Sequence, residues 1–203
     1  MEEISGMKLL LERWNKFLNE SKLAVFDFDD TLAVSDSMVI LKKASGEVIE
    51  MTPAEYNVYA PEEGDSFDYS QFEDVINPKE VTQITKIMTN HIEAENRDPE
   101  GRKIAVLTSR ADPAKNNIIN YLNSLGIDMT NVEVITLGDS DPYSKKSWIE
   151  AEVRQGGFDK VLFFDDSQKN IDAVGELVDE MPEISISARH VEYSELYKDK
   201  EAQ

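Results

Sequence analysis

Five short apolar-rich runs alternate with stretches of helical periodicity, and this alternation constrains the fold more than any other feature of the chain. The runs are KLAVFDF at 22–28, KIAVLT at 103–108, VEVITL at 132–137, KVLFF at 160–164 and ISISA at 184–188. Short, nearly continuous apolar runs read as strands buried on both faces. Helical spacing appears in the stretches between. Residues 79–96 carry Val81, Ile84, Ile87, Met88 and Ile92; residues 113–125 carry Ile118, Ile119, Leu122 and Leu125. Residues 145–155 carry Trp148, Ile149 and Val153, and residues 168–179 carry Ile171, Val174, Leu177 and Val178. A further amphipathic helix is predicted over 5–20 from Met7, Leu10, Leu11, Trp14, Phe17 and Leu18. Strands alternating with helices predict an α/β fold, a parallel sheet of about five strands with helices on both faces.

Residues 33–78 break this rhythm. MVILKKASGEVIEM at 38–51 alternates loosely about Ser45-Gly46, which predicts a hairpin. The segment after Thr52-Pro53 is rich in Tyr, Glu, Asp and Pro. From 44 to 78 there are nine acids and no Lys or Arg. The expectation is one domain over 1–203, with a flap or small cap at 33–78 made of a hairpin and an irregular acidic segment. A chain of 203 residues is long enough to bury a sizeable core. The terminal YKDKEAQ is expected to fray.

Composition excludes several chemistries. There is no cysteine, so disulfides, thiolate metal sites and cysteine nucleophiles are ruled out. No apolar run is long enough to cross a bilayer. The opening MEEISGMKLLLERW places Glu12 and Arg13 where a secretion signal needs an unbroken apolar stretch, so a cytoplasmic protein is expected. The net charge of −20 repels nucleic acid and anionic membranes at long range.

Four features at successive strand ends carry the chemistry. The first is Asp27-Phe28-Asp29-Asp30-Thr31, directly after the first apolar run. Residues two apart near a strand end project to the same side, so Asp27 and Asp29 are expected to converge. Strand carboxyl ends are where open α/β sheets bind ligands. The second is Asp165-Asp166-Ser167 with Asn170, again after a strand. An adjacent carboxylate pair there is costly unless a cation neutralises it. Magnesium takes oxygen ligands, commonly one or two carboxylates with phosphate and water. The third is Thr108-Ser109-Arg110, whose hydroxyl, N–H groups and guanidinium suit phosphoryl oxygens. The fourth is Lys145-Lys146 at a predicted helix start, where the macrodipole disfavours cations. Taken singly, the last two fit an ordinary turn and a solvated surface pair.

In this order the four features resemble the motifs of the haloacid dehalogenase-like (HAD) hydrolase superfamily. DxDxT is met by Asp27, Asp29 and Thr31, and the hydroxyl after the second strand by Thr108. The motif lysine is Lys145 or Lys146, and the acidic pair is Asp165 and Asp166, with Asn170 where many members carry a second acid. Lys145 is preferred, because Trp148 and Ile149 follow it by one helical turn. The resemblance implies a Rossmann-like sheet in the order 3-2-1-4-5, counted from the strand at 22–28. It implies that Asp27 forms a phosphoaspartyl intermediate while Asp29 acts as acid and then base. Magnesium would be held by Asp27, the Asp29 backbone carbonyl and Asp166, supported by Asp165 and Asn170. Thr108 and one lysine would hold the phosphoryl group, with Thr31, Ser109, Arg110 and Lys146 as further substrate contacts. Members of the superfamily that are phosphatases or phosphomutases carry the second aspartate that Asp29 supplies, and dehalogenases lack it. The expected activity is therefore a magnesium-dependent phosphomonoesterase.

A small cap in this superfamily goes with an open site and often with large substrates. Two alternatives stand beside the main reading: a nucleic-acid 3′-end phosphatase, and a catalytically silent HAD-fold binding protein. The acidic insertion favours a small phosphorylated molecule over nucleic acid, and the complete acid and lysine set disfavours a silent protein. No membrane partner is expected.

Overall fold

A computed structural model describes residues 21–97 and 99–192. The core is a sheet of β1 (Lys22–Phe26), β7 (Arg102–Thr108), β8 (Val132–Thr136), β9 (Lys160–Asp165) and β10 (Ser185–His190). Its order is β8-β7-β1-β9-β10, and every pairing is parallel. β1 lies in the middle, so all but its first residue are buried. Alternation along this apolar run divides its side chains between two cores. Ala24 and Phe26 pack on one face with Ile84, Met88 and Ile92 of α2 (Thr82–Arg97) and Ile118 and Leu122 of α3 (Lys115–Ser124). Leu23 and Val25 pack on the other with Ile149 and Val153 of α4 (Pro142–Gly156), Val174 of α5 (Gln168–Gly175) and Leu177 of α6 (Leu177–Glu180). Each of these side chains larger than alanine contributes about 1.5–3 kcal/mol by leaving water. Two covered faces explain why these strands read as continuous apolar runs and not as alternating ones.

The chain passes from β1 to β7 on one side, whereas β9, reached after β8, lies on the other side of β1. The strand order therefore reverses at β1, and a crevice opens beyond the carboxyl ends at such a reversal. Helix α4 starts sharply there. The Asp141 side chain accepts the Tyr143 N–H at 3.0 Å, and Pro142 occupies the first turn. It stops at Gly157, whose φ of 64° needs a residue without a Cβ penalty.

The insertion is more ordered than the sequence suggests. β2 (Ala33–Val34) and β6 (Lys79–Glu80) pair antiparallel and close its base. Between them β3 (Val39–Lys42), β4 (Val48–Met51) and β5 (Ser66–Asp68) form an antiparallel sheet in the order β4-β3-β5. The predicted hairpin is β3-β4, turning through Gly46 at φ 87°. The segment predicted to be irregular contains α1 (Pro53–Val58) and the third strand. Thr52 and Glu55 form a capping box around α1, with Pro53 in the first turn, a pattern legible in the sequence. Val39, Leu41 and Met51 make a small separate core with Tyr56, Tyr59, Phe67 and Phe72.

The helix expected over 168–179 is divided between α5 and α6 at Glu176. The helix predicted over 5–20 and the tail expected to fray lie outside the described residues. No helix among the described residues is long and apolar enough to cross a membrane.

Candidate active site

The regular pairing of β1 with β9 ends at Phe26 opposite Phe164, and the Asp27 N–H donates to the Phe164 carbonyl at 2.9 Å. Asp27 and Asp165 therefore emerge side by side from neighbouring strands. Asp27 is 5% exposed and Asp165 fully buried. Lys145, from the first turn of α4, reaches between them: its Nζ lies 2.5 Å from Asp27 Oδ1 and 2.7 Å from Asp165 Oδ2. Asp165 is further held by the Ser167 N–H at 2.8 Å and by Asn170 Nδ2 at 3.0 Å. Asp165 is thus satisfied by the protein itself. Asp166 is only half-buried and points a carboxylate to the same place, so that ligand atoms of Asp27, Asp165 and Asp166 all lie within 4.8 Å of one another.

The electrostatics record a shortage of positive charge. Burial pushes the Asp27 carboxyl well above the usual range; Lys145 opposes this, and Asp165, Asp166 and Asp29 add to it. Asp166 rises to about 7 through burial and then repulsion by Asp165 and Asp30. Asp30 rises to about 6 through burial and the neighbouring Asp29. Burial pulls the Lys145 ammonium down, but attraction and hydrogen bonds from Asp27 and Asp165 outweigh it, so it stays charged. Asp27, Asp165 and Asp166 thus share one ammonium. The donor set is all oxygen, without His or Cys, which suits a hard divalent cation such as magnesium. A divalent ion would also offset the charge that raises Asp27 and Asp166. The residues present fit the group.

Two-residue alternation does not carry past Phe26, and the expected convergence of Asp27 and Asp29 side chains changes accordingly. The chain folds back after β1: Leu32 and Ala33 N–H groups both donate to the Phe28 carbonyl at 3.0 Å, and the Asp30 N–H donates to Ala33 at 2.8 Å. Asp30 sits at φ 52°, a left-handed conformation that Asp tolerates better than most residues. This turn hands the Asp29 carboxylate to Arg110, at 2.7–3.2 Å.

Three expected substrate contacts are placed otherwise. Arg110 is buried and directs all five of its N–H donors to Asp29, Ser35 and the carbonyls of Phe72 and Asp74. It has none left for a phosphate. Lys146 pairs with Glu176 and Glu180, each at 2.7 Å, because one residue along a helix rotates a side chain by about 100° away from Lys145. Thr31 is fully buried, and its hydroxyl has no partner in the protein. Thr108 is fully buried at the end of β7, where its Oγ1 accepts the Arg110 N–H at 3.2 Å and keeps its own proton to donate. Ser109 beside it is half-buried.

Two neighbours of the site carried no role in the sequence. Asp30 stands in the acidic motif itself and acts on Asp166. His190 ends β10 with Nε2 at 2.7 Å from the Asp166 carbonyl, a contact that no local pattern announces. A cavity of about 380 Å³ bordered by Val153, Phe158, Met181 and Ile184 opens at the other end of the sheet, where β9 and β10 begin, and touches none of the acids. The acidic cluster lies instead in the crevice at the strand carboxyl ends.

No family model, curated protein or solved structure significantly matches this chain.

Proposed function

We propose that this protein is a magnesium-dependent phosphomonoester hydrolase of the HAD type, acting through a phosphoaspartyl intermediate on Asp27. The observation that carries the reading is the buried Asp27–Lys145–Asp165 contact at adjacent parallel strand ends, with Asp166 beside it. The strand order supports it as well. Counted over the five parallel strands alone, β8-β7-β1-β9-β10 reads 3-2-1-4-5, the order that the resemblance implies.

Asp27, Asp166 and the Asp29 backbone carbonyl would hold magnesium, with Asp165 and Asn170 behind them. The ion supplies Lewis acidity, meeting charge on the phosphoryl oxygens and keeping carboxylates ionised. An Asp27 oxygen attacks phosphorus, the bond to the leaving oxygen breaks, and that oxygen takes a proton from Asp29. Water then attacks the phosphoaspartate, gives its proton to Asp29, and the bond between phosphorus and Asp27 breaks. Lys145 and the Thr108 hydroxyl stabilise the charge that develops on the phosphoryl group.

A small phosphomonoester fits this site better than a nucleic-acid end. Three basic residues in or beside the insertion are already paired: Lys42 with Asp68 at 3.0 Å, Lys43 with Glu62 at 3.1 Å and Arg110 with Asp29 at 2.7 Å. No cationic track is left among them to follow a polyanion.

The test is hydrolysis of an aryl phosphate with magnesium and with chelator. Activity should require the metal, and Asp27→Asn should abolish it because an amide cannot attack phosphorus. Asp29→Asn should lower turnover roughly 10²–10⁴-fold. Full turnover after rigorous chelation, or wild-type rates in Asp27→Asn, would overturn the reading.

A further inference from the structure

We propose that Arg110 is a positioning residue that sets the orientation of Asp29 and ties that orientation to the docking of the insertion. The proposal rests on the phosphatase reading, in which Asp29 is the acid and base. The side chain of Arg110 is 1% exposed, whereas that of Asp29 is 27% exposed. One partner is therefore locked in the interior while the other faces the crevice. The guanidinium grips the carboxylate in a fork, with Nε 2.9 Å from Oδ2 and Nη2 2.7 Å from Oδ1. A fork of this kind fixes the plane of a carboxylate as well as its place.

The remaining donors fasten Arg110 to the insertion. Nη2 reaches Ser35 Oγ at 3.0 Å, and Nη1 reaches the Phe72 carbonyl at 3.0 Å and also the Asp74 carbonyl. The guanidinium also packs against two rings, those of Phe28 at 5.3 Å and Phe72 at 5.1 Å. Its backbone is held too: its N–H donates to Thr108 Oγ1, and its carbonyl accepts the Gly138 N–H at 3.1 Å. Arg110 thus has no freedom to turn toward substrate. A carboxylate offers about four lone-pair directions. Beyond the fork, Asp29 keeps a lone-pair direction that can carry the proton given to the leaving oxygen and later take one from water. The carbonyls that hold Arg110 in place belong to the turn at Ser70–Glu73 and the residue after it. Displacing that turn would free Asp29.

Leaving-group dependence separates this role from a purely structural one. Acid assistance matters for an alkyl phosphate and little for a nitrophenyl phosphate, whose leaving oxygen needs no proton. Arg110→Lys and Arg110→Met should slow single-turnover transfer from glycerol phosphate to Asp27 by roughly 10²-fold, as misplacement of a catalytic group does. In single turnover, transfer from nitrophenyl phosphate to Asp27 should slow less than about tenfold, since Asp29 enters there only as the base of the later hydrolysis step, and affinity for both substrates should hold within about threefold, because the guanidinium does not touch substrate. Lysine should not rescue, since a tetrahedral ammonium cannot span the fork and two carbonyls. Combining Arg110→Met with Asp29→Asn should cost no more than Asp29→Asn alone. Equal losses in the transfer rate on both substrates, additive losses in the double variant, or weakened affinity with an unchanged transfer rate would each overturn the proposal. So would failure of both Arg110 variants to fold. If the wild-type protein hydrolyses neither substrate, the phosphatase reading itself fails, and the role of Arg110 with it, before any variant is compared.

Discussion

Replacing Lys145 with methionine keeps the length of the side chain and removes the ammonium that stands between Asp27 and Asp165. Both acids are buried, at 5% and 0% exposure, and the lysine is 2% exposed. Asp165 would keep its bonds from Ser167 and Asn170, whereas Asp27 would lose its contact at 2.5 Å. Breaking one partner out of a buried ion pair costs about 3–5 kcal/mol, because the remaining charge is left uncompensated. That cost should depend on pH with a definite sign. Asp27 already sits well above its ordinary range, and losing Lys145 moves it further up. A carboxyl raised in the folded state favours folding below its unfolded value and loses that contribution as pH rises through the folded value. The variant should therefore be close to wild type near pH 4, where Asp27 binds a proton, and weakest at pH 8. Urea unfolding in chelator at both pH values measures this directly. A loss below about 1 kcal/mol at pH 8, or a loss that does not change with pH, would refute the claim that Lys145 neutralises a buried carboxylate pair.

The wild-type protein should show a related dependence. Asp166 at about 7 and Asp30 at about 6 stand above the ordinary 3.8, so in chelator stability should fall as pH rises from about 4 to 7. Asp166 alone accounts for up to roughly 4 kcal/mol at about 1.4 kcal/mol per tenfold change in proton affinity. Magnesium should raise the melting temperature more at pH 8 than at pH 5, and an equal rise at both would count against cation binding at these acids. Lys146→Ala should leave turnover within about twofold and cost at most about 1 kcal/mol in thermal unfolding, because Glu176 and Glu180 are about half exposed. A large loss of activity there would mean that the helix start presents both lysines to the site.

The local pattern of residues determined the sheet strands, the helices between them and the acidic strand ends, because periodicity and a charge after an apolar run are read from neighbours. The same locality left Thr52-x-x-Glu55 legible as a helix start, although it lies in a segment that looks irregular by composition. What the sequence alone left open was decided by contacts between distant residues. Lys145 meets Asp27 across 118 positions, and only the placement of α4 over the β1–β9 crevice separates it from Lys146, which meets Glu176 and Glu180 instead. Arg110 has the composition of a phosphate clamp, yet it is spent on Asp29, 81 positions away, and on the insertion. Thr31 belongs to the motif but is buried, because the chain folds back on itself after β1. A charged side chain goes to the partner that desolvation and geometry make most favourable, and both of these are properties of the packed molecule and not of the local chain.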